Sequence, residues 1–364
     1  MKSKFERMFA LALVLCMGIS MISFAQSSGD YDDWDEPDDP HQHEHESVMV
    51  GAAVPANIQT SNYLAADAFI KNTLRQLDVR KNKKEEVAEG EEAVTEAMGN
   101  WNTWIAPYYR HSHISGLGES GATSRNNGGG SAFGADFGFG DLIIGGSFDA
   151  GHSKSTYKNG DVTSHEDSDF TAISIYGDWA NDVLRIYGGI GYSYDSRDMK
   201  VKSAAFSKSA HTGTRSFNSA VICEYTVYDK AVYVAPYAGV RHAFIDTAAY
   251  HFGGTRYHSD TLNVFRFPVG IKVGQDYNFS GFYIRPNVNL YVEPVVGDTE
   301  TKTKVRTGGV SNVSKARMTD EFFWNASVGV TTGIYGISFT LSYDFQGSEH
   351  EKEHGLSLSY NWCF

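Results

Sequence analysis

Past Met21 the chain has no apolar run approaching the roughly 20 residues that a membrane-spanning helix needs, and its mean hydropathy is negative. Cysteine is nearly absent. Of three, Cys16 follows the bulky Leu15 inside the leading apolar run, which argues against lipidation; Cys223 and Cys363 have neither metal-ligand spacing nor a small disulfide framework around them. Positive charge is also scarce: 31 Lys and Arg stand against 44 Asp and Glu, and no basic patch is dense enough for a nucleic-acid partner.

What is present begins with an export signal. Lys2, Lys4 and Arg7 precede an apolar run from Met8 to Met21, and the small Ser23 and Ala25 suit cleavage after Ala25, so residues 1–25 are expected to be a signal peptide. Residues 26–62 contain the acidic, histidine-bearing stretch SSGDYDDWDEPDDPHQHEHE, with too little apolar surface to bury, and are expected to be disordered. From Tyr63 the pattern changes, with Leu64, Ala68, Leu74 and Leu77 at roughly helical spacing; residues 63–100 read as a helical linker, broken near Gly90.

From Trp101 to the end the chain is β-like, rich in Tyr, Phe, Val, Ile and Gly. Twelve segments start near Trp101, Ser131, Asp141, Asp169, Val183, Arg215, Ala231, Leu262, Gly281, Phe322, Tyr335 and His354. Short links at Gly140, 180–182, 229–230, 278–280 and 333–334 alternate with long polar ones: HSHISGLGESGATSRNNGGG, HSKSTYKNGDVTSHED, 196–214, 246–261 and GDTETKTKVRTGGVSNVSKAR. An even number of strands with phased short and long links is the pattern of an up-and-down barrel, whose periplasmic turns are short and whose extracellular loops are long. A Greek-key sandwich has no reason to keep that phase.

Side chains alternate accordingly. In the ninth strand Phe282, Ile284, Pro286, Val288, Leu290 and Val292 share one face, while Tyr283, Arg285, Asn287, Asn289, Tyr291 and Glu293 share the other. An Arg on the lipid face at the bilayer midplane costs about 2–4 kcal/mol, so Arg285 is expected in the lumen. Open strand edges in hydrocarbon would leave backbone groups unpaired at several kcal/mol each, which requires closure. The fold class is therefore all-β, a twelve-stranded antiparallel up-and-down transmembrane β-barrel over residues 101–364, preceded by a helix able to occupy the pore.

The last segment places Leu356, Leu358, Tyr360, Trp362 and Phe364 on one face and Ser357, Ser359, Asn361 and Cys363 on the other, as a barrel-closing strand would. Together with SAFGADFGFG, AISIYGDWANDVLRIYGGIGYSYDSRD, VYVAPYAGVRHAF and FTLSYDFQGSEHEKEHGLSLSYNWCF, this strand resembles the β-domain of bacterial autotransporters, the translocator of type V secretion. The resemblance implies insertion into the outer membrane by the barrel-assembly machinery reading the strand that ends in Phe364, with outer-membrane lipid as the other partner. It also implies both barrel termini in the periplasm and a helix in the pore leading to a passenger. The chain departs from the family in having only a short, repeat-free segment between signal and barrel. A stand-alone pore or surface-adhesion barrel is the alternative reading, and an outer-membrane hydrolase a third.

Residues that invite a chemical reading offer no motif. His41, His43 and His45 among carboxylates could gather a divalent metal, but a flexible strand does not pre-organise a coordination sphere, and an acidic tether explains them. His111, His113, His152, His165, His211, His242 and Asp246 sit among serines in polar links. No catalytic, cofactor-binding or metal-binding residue is assigned, and the chain reads as a non-enzyme without a cofactor. Trp101, Trp104, Trp179, Trp324 and Trp362 fall near strand ends, where an interfacial aromatic girdle is expected. Cys223 is expected to face lipid and Cys363 the lumen, on strands too far apart to pair.

Overall fold

The computed structural model describes residues 53–88 and 101–363 apart from 117–120, 182, 230–231, 280–281 and 335. Phe364, the expected signal peptide, the histidines at 41, 43 and 45 and the expected break near Gly90 lie outside the described residues.

One helix, α1 (Ala53–Ala88), precedes the strands. The barrel wall is built from β1 (Trp101–Ser115), β2 (Thr123–Phe139), β3 (Leu142–Asn159), β4 (Val162–Ala180), β5 (Leu184–Lys202) and β6 (Ser207–Tyr225), which β7 (Val227–Asp229) extends. It continues through β8 (Val232–Thr247), then a strand in three pieces, β11 (Leu262–Arg266), β12 (Val269–Gln275) and β13 (Tyr277–Phe279), and β14 (Phe282–Gly297). It finishes with β17 (Phe322–Ile334), β18 (Ile337–Gly347) and β19 (Glu351–Cys363). With the pieces merged these are twelve staves, each paired antiparallel to its neighbour. The three-piece stave breaks first at Pro268, which has no N–H for the ladder.

Closure follows the expected seam: β1 pairs with β2 on one side and β19 on the other, from Asn102↔Cys363 to Ile114↔Glu351. The alternation also holds. Phe282, Val288, Leu290 and Val292 are exposed outward while Tyr283, Arg285 and Glu293 are buried inward, and Arg285 pairs with Asp276. Cys223 is exposed on the outer face; Cys363 turns inward, its Sγ donating to Asn102 Oδ1 at 3.4 Å, and the two are not joined in a disulfide.

The long polar links differ from expectation. Most are strand. β2 begins at Thr123, β4 at Val162 and β6 at Ser207, so β4, β5 and β6 each run 19 residues where about 9–11 suffice to cross a bilayer. Above the membrane the outer face of a hairpin meets water instead of lipid, so its backbone ladder persists while the apolar alternation that marks a strand disappears. The remaining elements, β9 (Tyr250–Phe252), β10 (Thr255–Ser259), β15 (Glu300–Thr307) and β16 (Val310–Arg317), form a separate four-stranded sheet at the same end. At the opposite end the turns are tight, as at Gly140, whose φ of +55° suits a residue without Cβ. Because the short turns of outer-membrane barrels face the periplasm, the tall hairpins mark the cell-surface end.

Trp101, Trp179 and Trp362 lie outward near the periplasmic rim, and Trp324 outward at the other end of its strand. Trp104 does not join them. Three residues after Trp101 the pleat points inward, and Trp104 is buried in the lumen with its Nε1 donating to Tyr176 Oη at 2.8 Å.

Candidate functional site: the occupied lumen

A wall whose inner residues are polar cannot exclude water by itself, and what fills this one is α1. The helix starts at Ala53, ten residues before the periodicity indicated, and so takes in residues 53–62 that the composition placed in the disordered stretch. The reason is visible in its surface. Asn57, Gln59, Thr60, Asn62, Asp67, Asn72, Thr73 and Gln76 are all buried, spread around the helix rather than along one side. A helix enclosed by a polar tube needs no single apolar stripe, so hydrophobic periodicity underreports it.

At the cell-surface end Val54 and Ile58 pack in an apolar cluster with Tyr157, Met199, Val201, Tyr250, Phe252 and Tyr257, contributed by the tall hairpins and the separate sheet. Just below, Asn57 Nδ2 donates to Glu166 Oε1 at 2.7 Å, and Arg197 joins Glu166 (2.8 Å) to Asn62 Oδ1 (2.9 Å).

The middle of the helix carries a buried charge network. Asp67 accepts from Arg241 Nη1 at 2.7 Å and pairs with Lys71 Nζ at 2.8 Å, while Arg266 reaches Glu293 at 3.1 Å. Arg241 also pairs with Glu293, and Arg266 also donates to Tyr63 Oη. Phe69 seats against the wall at Gly191, where an added Cβ would lie 2.3 Å from its ring.

Nearer the periplasm, Arg185 binds Asp178 and Asp78, each at 2.8 Å, and its Nη2 donates to the helix carbonyl of Leu77 at 2.7 Å. Lys272 Nζ bridges Asp78 and Glu224, again at 2.8 Å. A polar cavity of ≈ 170 Å³ remains on one side, lined by Arg75, Asp78, Lys272, Asn289, Ser327 and Asp344 among others.

The rim histidines form no catalytic arrangement among the described residues. His152 Nδ1 meets Asp169 (2.8 Å), His211 Asp198 (2.9 Å), His111 Asn127 (2.8 Å) and His165 Thr156 (3.3 Å), all side by side on the outer face of neighbouring strands. His242 stacks on Phe265 and meets Asn263, and Asp246 lies opposite Arg215 in the ladder. None of these histidines hydrogen-bonds a serine among the described residues. Asp320, Glu349 and His350, which no sequence motif links, bring potential ligand atoms within 4.8 Å of one another. Both Asp320 oxygens are already taken, by the His350 backbone N–H and Nδ1, each at 2.8 Å, so the group ties the β18–β19 turn to the approach of β17.

The fold has counterparts among known proteins. The autotransporter beta-domain family profile matches residues 103–344. Among solved structures, the translocator domain of the autotransporter NalP from Neisseria meningitidis superposes with a TM-score of 0.54 at 13% identity, covering 82% of this chain and 99% of that one. The β-domain of the Bordetella autotransporter BrkA gives 0.55 at 11% identity, with 72% and 99% covered. The transport unit of AIDA-I from Escherichia coli gives 0.54 at 13%, with 72% and 90% covered. No curated protein sequence matches the chain. With a profile match over most of the barrel, and a closed twelve-stave wall around a helix, the chain belongs to the autotransporter β-domain family, translocator barrels of the Gram-negative outer membrane.

Proposed function

We propose that this barrel anchors its own N-terminal segment across the outer membrane, with α1 as the stalk and the residues before it, 26–52, displayed at the cell surface. The observation that carries this reading is the direction of α1: Val54 and Ile58 lie among the tall hairpins, whereas Asp78 lies near the short turns. In this reading residues 1–25 are a signal peptide cleaved after Ala25, the barrel-assembly machinery reads β19 and Phe364, and the acidic, histidine-bearing segment is the exported part. The barrel itself carries out transport and anchoring, not catalysis.

An epitope inserted near Ser28 is expected to be reached by antibody on intact cells, and to be lost after mild surface proteolysis while the folded barrel survives. Inaccessibility on intact cells, with the barrel correctly inserted, would refute export. The stand-alone pore predicts a large steady current across planar bilayers; an occupied lumen predicts a small one that grows when residues 53–78 are deleted.

A further inference from the structure

At the seam where the last strand meets the first, the outer face of this acidic chain carries a local band of basic residues. Register and alternation place Lys352, His113 and Arg125 side by side on β19, β1 and β2, and one step lower His354 beside His111, which lies next to Asn127. The carboxylates of these strands and of β3 point the other way: Glu351, Glu353, Asp136 and, on β3, Asp149 are all buried on the lumen side. Among the described residues, no Asp or Glu faces outward from β19, β1, β2 or β3. Along the lower row Lys154 of β3 is neutralised by Asp167 of β4 at 3.3 Å, while the upper row continues through Thr156 to His165 of β4 and Lys200 of β5.

Its height matches the membrane boundary. Trp101 marks the periplasmic girdle, and His111 stands ten residues further along β1. At about 3.3 Å per residue and a tilt near 40°, ten residues rise about 25 Å, the height of the apolar belt of an outer-membrane barrel. Directly beneath the band the surface is apolar and exposed, with Tyr109 at 51%, Leu356 at 50% and Phe133 at 46%. Tyr109 Oη and His111 Nδ1 both hydrogen-bond Asn127 Oδ1, at 3.0 and 2.8 Å, which fixes both rings at the boundary. Across the barrel, Val292, Val296, Phe322 and Trp324 face outward, and the nearest outward charges, Arg317 and Glu321, are paired with each other at 3.8 Å.

We propose that the seam formed by β19, β1 and β2 binds a phosphorylated lipid of the outer leaflet. Lys352, Arg125, His113, His111 and His354 face its phosphate groups, and the belt at Tyr109, Leu356 and Phe133 takes its acyl chains. Such a lipid would span the one joint that closes only when the last strand meets the first, and would brace it.

The test uses the folded full-length barrel in detergent, with bisphosphorylated lipid A as the probe and the same lipid stripped of phosphate beside it. The wild type is expected to retain the phosphorylated lipid through gel filtration. Retention falls about fivefold for Arg125→Gln or Lys352→Gln and about 25-fold for the pair, as expected for a headgroup cation near an anionic surface. Lys304→Gln, on β15 of the separate sheet, leaves it unchanged. Heat-modifiable gel mobility confirms that each variant is folded. Equal retention by the double variant, or equal retention of the dephosphorylated lipid, would overturn the proposal. So would displacement of the lipid by millimolar inorganic phosphate alone, because the site would then be one for free anions.

Discussion

The two ends of α1 are held by different physics. At the cell surface Val54 and Ile58 are gripped by aromatic and aliphatic side chains; toward the periplasm Asp78 and the carbonyl of Leu77 are gripped by Arg185 and Lys272. Apolar contact excludes water without fixing direction, so Val54 and Ile58 form a seal, while Asn57 and Asn62 beside them add a few directional bonds to Glu166 and Arg197. A buried guanidinium with a carboxylate on each side is directional, so the lower end and the middle network define where along the tube, and at what rotation, the helix stops. The upper contacts come from hairpins beyond the membrane, whereas the lower ones come from the wall itself.

Four changes would break or sharpen this comparison. The largest effect is expected from Glu293→Ala, which leaves Arg241 and Arg266 sharing only Asp67. A buried ion-pair network that loses one member costs about 3–5 kcal/mol, read as a lower thermal transition of the heat-modifiable band. An unchanged transition would mean that water already reaches those charges.

Next comes Ile58→Ala at the apolar seal, where the residue is fully buried; about 2–4 kcal/mol is expected, with more frequent channel openings in planar bilayers. If openings rise instead with Lys272→Gln and not with Ile58→Ala, the seal lies at the other end. Smaller, at about 1–3 kcal/mol, is Gly191→Ala, since the new methyl meets the Phe69 ring. Adding Phe69→Leu should recover part of the loss, and a double variant no better than the single would show that the clash lies elsewhere.

The smallest effect concerns the rim tie at Asp320. Burial raises its carboxyl, but hydrogen bonds from Ser348 and from the backbone and ring of His350 outweigh that and hold it below the usual carboxylate range. Because the native carboxyl takes up its proton less readily than the unfolded one, its stabilisation is present above about pH 4 and is lost as pH falls through the lowered native value. The thermal midpoint of the wild type should therefore drop more steeply below pH 4 than that of Asp320→Asn. Parallel curves would remove Asp320 from the account.

How much was legible in advance depended on which solvent each residue faces. Along β14 and β19 lipid lies on one side and the polar lumen on the other, and Val288, Leu290, Leu356 and Leu358 announced their faces by alternation alone. Ser155, Ser164 and Thr212 belong to strands beyond the bilayer, where that contrast is gone, and they read as loop. Trp104 was misassigned because nearness to a strand end was weighed above the parity of its position. The charges that hold α1 were individually visible as Asp67, Asp78, Arg185, Arg241, Arg266 and Lys272, but nothing local pairs residues more than a hundred positions apart.

By itself the sequence determined a closed barrel of twelve phased strands, which face meets lipid, and that the last strand seals the first. Those follow from period-two alternation and from the cost of unpaired backbone in hydrocarbon, both of which act along the chain. Only the tertiary structure decided that α1 begins at Ala53, points its start toward the cell surface and fills the lumen. A helix wrapped in polar walls needs no pattern of its own, so its position is written in the strands that surround it.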